Sequence, residues 1–94
     1  MTEPHDPPYE LVVVRPAARA IAEDLSGAVA AAVIDLITGA LIREPRRVGR
    51  ELRNELAGVF SARRGTYRVL YRIDDDERTV TVIRVDHRSD VYRS

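Results

Sequence analysis

The sequence predicts a single α+β domain: an N-terminal strand, an antiparallel helical hairpin, then a three-stranded antiparallel meander. Three observations predict it. A short β-branched run ends at a proline, apolar residues then recur at helical spacing, and three strand-like runs follow at hairpin spacing. Residues 1–8 read as a disordered tail, since Pro4, Pro7 and Pro8 block regular hydrogen bonding and no apolar pattern is present, which leaves 9–94 as the domain.

From Tyr9 the run YELVVVR has the character of a buried strand, and Pro16 stops it while suiting the first turn of a helix. Ala18, Ile21, Ala22 and Leu25 then recur on one helical face, with Arg19, Glu23 and Asp24 on the wet face. Ser26 is placed to cap a second helix running from about Gly27 to Arg43, whose apolar stripe is Val29, Val33, Leu36, Ile37 and Leu41. Pro45 ends it by disfavouring a helical Glu44. Two short-linked amphipathic helices need a sheet to cover, and the runs GVFSAR, TYRVLYRI and TVTVIRV supply it. Gly65 punctuates the first turn and Asp74 to Glu77 the second.

With 94 residues, 45% of them hydrophobic, the chain holds one modest core. The absence of cysteine excludes disulfides and thiolate metal sites and suits a reducing, cytoplasmic setting. No apolar run approaches the roughly 18 residues of a membrane span, so no membrane partner is expected. The net charge of zero hides a segregation. Between Arg43 and Arg72 nine arginines stand against three glutamates, a net of +6, and the remainder carries −6. Local charge sets the field a ligand meets, so this block suits phosphate binding, against the plainer alternative of a solvated charged face.

Register decides which of these arginines cooperate, because a one-residue slip exchanges the faces of a strand. An even-length loop between the first two meander strands puts Ser61, Arg63, Arg68 and Arg72 on one face and leaves Phe60 and Ala62 towards the helices with Tyr71. An odd loop reverses this. The closing DHRSDVYRS adds His87, Arg88 and Tyr92 near the chain's end. Beside guanidinium groups that hold a phosphate, imidazole and phenol can move protons.

The segment REPRRVGRELRNELAGVFSARRGTYRVLYRIDD and the closing VIRVDHRSDVYR resemble RelE-type toxins of the RelE/ParE superfamily, especially their actinobacterial branch. The resemblance implies a RelE-like microbial RNase fold and the toxin of a type II toxin–antitoxin system. It implies a metal-independent, cofactor-free endoribonuclease (mRNA interferase) that cleaves mRNA in the ribosomal A site by attack of the ribose 2′-hydroxyl on the adjacent phosphate, inhibiting translation. It assigns Arg68, in the Y-R-V-x-Y core, to transition-state stabilisation with Arg63 assisting, His87 to proton transfer, and Tyr92 to base stacking or phosphate placement. The RNA-binding set is Arg46, Arg47, Arg50, Arg53, Arg64, Arg72 and Arg88, gripping mRNA and 16S rRNA phosphates without regard to sequence. One departure stands out: where the family often carries a lysine or glutamate base, this chain has Val59 and Ser61.

The partners implied are a cognate antitoxin, the ribosome and mRNA. Two other functions share the fold: a ParE-type DNA gyrase poison, which needs no nuclease site, and an inactive member serving only in an antitoxin co-repressor complex.

Overall fold

The computed structural model describes residues 7–87, so the first six residues of the expected tail, and Arg88 and Tyr92, lie outside the described residues. Pro7 is held, its carbonyl accepting a hydrogen bond from the Arg78 guanidinium. The chain runs through β1 (Glu10–Val13), α1 (Arg15–Arg19) and a π-helical turn (Ala20–Asp24), then α2 (Gly27–Thr38), α3 (Ala40–Arg43) and α4 (Pro45–Val48). Next come β2 (Arg50–Glu51), a 3-10 turn (Asn54–Leu56), and the meander β3 (Phe60–Arg64), β4 (Tyr67–Asp74) and β5 (Thr79–His87). Among the described residues no helix is long and apolar enough to cross a membrane.

The class and element order agree with the sequence, and the departures have local causes. The first helix widens into a π turn, so Ala17, Ile21 and Leu25, four apart, face the core in place of the expected stripe through Ala18 and Ala22, which are exposed. Ser26 caps α2 as predicted, its Oγ accepting from the Val29 N–H at 3.3 Å. The second helix does not run unbroken to Arg43. It breaks at Gly39, whose backbone (φ −120°, ψ −99°) leaves helical space, while Thr38 Oγ1 donates to the Ile34 carbonyl at 2.6 Å. Pro45 ends that helix but also starts α4, where its fixed φ and missing N–H suit a first turn.

Five strands form one sheet in the order β1-β5-β4-β3-β2. Beyond the meander, β1 lies parallel to β5 and the two-residue β2 lies antiparallel to β3 at the other edge. Val33, Ile37 and Leu41 of α2 and α3, with Ala17, pack on Ala62, Val69, Tyr71, Val80, Val82 and Val85. Each buried Val or Leu stabilises by about 1.5–3 kcal/mol, so this layer fixes which face of the sheet is covered. Tyr67 and Tyr71 add polar ties, their hydroxyls donating to the Ala32 carbonyl at 3.4 Å and the Pro45 carbonyl at 2.5 Å. The helices therefore occupy one side, and among the described residues the opposite face of the sheet is left to its own side chains.

Candidate nucleic-acid interface

The turn between β3 and β4 consists of Gly65 and Thr66. Gly65 takes φ +56°, the left-handed backbone that a tight two-residue hairpin demands and that glycine supplies without strain. This even loop sets Arg63 opposite Arg68, Ser61 opposite Leu70 and Phe60 opposite Tyr71. Cross-strand partners share a face, so Ser61, Arg63, Arg68 and, by alternation, Arg72 lie on the open side, while Phe60, Ala62 and Tyr71 turn to the helices. Arg50, opposite Ser61, extends the open face across β2. Two arginines placed directly opposite each other are locally unfavourable, an arrangement that fold stability alone does not select.

On β5 an irregularity changes what meets Arg68. Leu70 pairs with Arg84 but the adjacent Tyr71 pairs with Val82, so Ile83 is an extra, bulged residue. Unbroken alternation from Val80 and Val82 would send Ile83, Val85 and His87 to the open face. The bulge inverts this: Val85 is buried with the core, and Arg84 and Asp86 emerge on the open side, Asp86 directly opposite Arg68. His87 pairs with Tyr67 and belongs to the helix-side face, its Nε2 3.1 Å from Thr66 Oγ1. The register thus corrects the expectation that His87 shares a surface with Arg63 and Arg68.

The group that does meet Arg68 is a carboxylate. Arg68 Nη2 donates to Asp86 Oδ2 at 3.1 Å, and Arg84 Nε donates to Oδ1 at 2.7 Å. Burial of Asp86, whose side chain is 16% exposed, opposes its ionisation, but the hydrogen bonds from Arg84 and Arg68 outweigh it and hold the carboxyl below the usual range. Asp86 is therefore ionised throughout the physiological range. The sequence signal for Arg84 and Asp86 lies in T-V-T-V-I-R-V-D, where polar residues change phase after the Val82–Ile83 doublet.

The other predicted residues divide. Arg47 and Arg53 are exposed, on α4 and beside the 3-10 turn, and Arg72 extends towards the loop at Gly58. Arg46 makes a bidentate pair with Asp75, at 3.0 and 2.9 Å, and lies over the Phe60 ring, so it serves to fasten α4 to the β4–β5 turn. Tyr9 donates to the same carboxylate at 2.6 Å. Arg64 pairs with Tyr67 on the helix-side face and donates to the Val48 carbonyl at 3.0 Å, which removes it from the open face. Of the two positions standing where the family's base is often found, Val59 is buried and Ser61 lies on the open face.

Residues 12–92 match the family described as ParE toxin of type II toxin-antitoxin system, parDE. The chain is 67% identical over 63 residues to Toxin RelG of Mycobacterium tuberculosis (strain ATCC 25618 / H37Rv), covering 67% of this chain and 72% of that one. It is 43% identical over 88 residues to Toxin RelE of the same organism, covering 94% and 90%. Its fold is similar to a chain in the crystal structure of the M. tuberculosis toxin–antitoxin complex RelBE2, with a TM-score of 0.83, 54% identity and coverage of 86% and 99%. The isolated E. coli RelE toxin shares the fold at 24% identity, with a TM-score of 0.70 and coverage of 89% and 90%. With its helix-backed sheet and these relatives, the chain belongs to the RelE/ParE superfamily, as a RelE-type toxin of a type II toxin–antitoxin system.

Proposed function

We propose that this toxin inhibits translation by cutting mRNA in the ribosomal A site, with the open face of the sheet as its phosphate-binding surface. The observation that carries this reading is the opposed pair Arg63 and Arg68, flanked by Arg50, Arg72 and Arg84 on the face of the sheet opposite the helices. Held guanidinium groups match phosphate geometry and stabilise the charge that develops as the phosphorane forms. In the proposed step the 2′-hydroxyl gives its proton to water as its oxygen attacks the adjacent phosphorus, and the bond to the 5′-oxygen breaks as that oxygen takes a proton from water, leaving a cyclic phosphate and a 5′-hydroxyl, without metal or cofactor. Arg68 is assigned to the phosphorane oxygens, with Arg63 beside it. Tyr92 keeps the stacking role that the family resemblance gives it, and Arg47, Arg53 and Arg88 the contacts to rRNA phosphates.

A site on ribosomes places the protein in the cytoplasm, and the RelBE2 complex of its relative supports a cognate antitoxin as the neutralising partner. Primer extension on programmed ribosomes, with and without the toxin, tests the reading. Cuts confined to the decoding site are expected, and an intact message overturns it. A gyrase-poisoning activity is the second reading, favoured by the match to the ParE family and by the turn of His87 away from the arginine face. Inhibition of supercoiling by purified gyrase would establish it instead.

A further inference from the structure

The resemblance that assigns Arg63 and Arg68 says nothing of Arg84 or Asp86. The bulge at Ile83 nevertheless brings both to the open face, with Asp86 bonded to Arg68 on one oxygen and to Arg84 on the other. A carboxylate within a phosphate-binding surface repels its ligand unless it does something that offsets the repulsion. Here it holds two guanidinium groups of neighbouring strands against their mutual repulsion, and each keeps donors unspent. Arg68 uses one terminal nitrogen and Arg84 only Nε, so both retain N–H groups for a further acceptor. Arg84 is 68% exposed, which leaves its terminal nitrogens open to a ligand.

Asp86 is poorly suited to act as the missing base. Its two cationic partners keep it ionised and weakly basic, and a strong hold on a proton is what a base for a ribose hydroxyl needs. Orientation is what its geometry supplies. We propose that Arg84 and Arg68, bridged by Asp86, form a two-guanidinium clamp for a phosphodiester of single-stranded RNA, in which Asp86 is a positioning residue and Arg84 a binding residue. The clamp rests on the RNA reading above and deepens it, adding a phosphate contact on β5 to the arginines of β3 and β4.

The test is binding of a 2′-O-methyl oligouridine, which cannot be cleaved in this way, to the purified free toxin, with the amide NMR spectrum of each variant showing that it folds. Arg84→Gln weakens binding by about tenfold, the loss of one charge-assisted contact. The same change made in Arg68→Ala weakens it much less, because two residues that grip one phosphate act as a unit. Asp86→Asn removes a negative charge from a basic patch, so electrostatics alone predicts tighter binding, whereas loss of positioning predicts weaker binding. Asp86→Glu, able to accept both bonds, restores part of the loss. Equal or tighter binding by Asp86→Asn overturns the positioning role, and unaltered binding by Arg84→Gln overturns the clamp.

The two readings fail separately. If the wild type binds as described but never cuts a message on ribosomes, the nuclease reading falls alone. If it cuts at the decoding site and both variants bind and cut like the wild type, the clamp falls alone.

Discussion

Tyr71 ties the arginine-bearing helix α4 to the sheet, and replacing it with phenylalanine tests how much that tie contributes. Its side chain is fully buried, stacked on Phe60 with ring centroids 5.6 Å apart, and its hydroxyl donates to the Pro45 carbonyl at 2.5 Å. Phenylalanine keeps the stack and deletes only the hydroxyl and its bond to the carbonyl of buried Pro45. Losing a buried hydrogen bond costs about 1 kcal/mol, a sizeable share of the stability of a domain this small. Burial also pushes the Tyr71 phenol up to about 12 from its ordinary 10.0, against weaker downward pulls from Arg64 and a backbone contact with Gly49. Because the folded value is raised, the stabilisation is complete below the unfolded value and is lost as pH climbs from there through the folded one. That loss amounts to about 2–3 kcal/mol. Urea unfolding of both proteins, at neutral pH and along an alkaline series, separates the two effects. The variant starts less stable and declines less over the alkaline range than the wild type. Equal stability at neutral pH together with parallel alkaline declines would refute the burial and bonding described for this hydroxyl.

One substitution and one deletion examine the scaffold. A Cβ at Gly49 would lie 2.6 Å from both the Ser61 carbonyl oxygen and the Tyr71 hydroxyl, and neither can retreat, so Gly49→Ala destabilises by about 1–3 kcal/mol. Thermal unfolding should show a Tm lowered by about 4–8 °C for each kcal/mol, and an unchanged Tm contradicts the close approach. Deleting the bulged Ile83 leaves T-V-T-V-R-V-D-H in plain alternation with every β4–β5 pair still available, so the shortened chain folds and keeps Asp86 opposite Arg68. Cross-strand amide NOEs read this directly, and a different register shows that the bulge is needed for pairing.

Much of this was legible because local rules and global packing agreed. The meander, the Ser26 cap, the stripe through Val33, Ile37 and Leu41, and the common face of Arg63 and Arg68 all follow from periodicity and a two-residue turn. Long-range partners were not legible: nothing local tells β1 to lie parallel to β5, or residues 50–51 to add an edge strand. The break at Gly39 falls inside an apolar helical pattern that continues to Leu41, so periodicity alone does not mark it. On the open face the decisive miss was a phase change. One bulged residue put Asp86 where unbroken pairing would put Val85, opposite Arg68, and turned His87 to the helix side; the Val82–Ile83 doublet that marks it also reads as an ordinary buried strand.

The account rests on the claim that one face of the sheet, and not the arginine block as a whole, acts on RNA. Arg68 and Arg64 test it, since both belong to the block and lie near the same turn, yet they project to opposite faces. Single-turnover cleavage of the A-site message on ribosomes should fall at least about 100-fold for Arg68→Ala, the scale of losing one preorganised donor to the transition state. It should stay within about threefold of the wild type for Arg64→Ala, which loses two exposed bonds, to the Val48 and Arg63 carbonyls. Equal losses in the two variants, or full activity in Arg68→Ala, would contradict it.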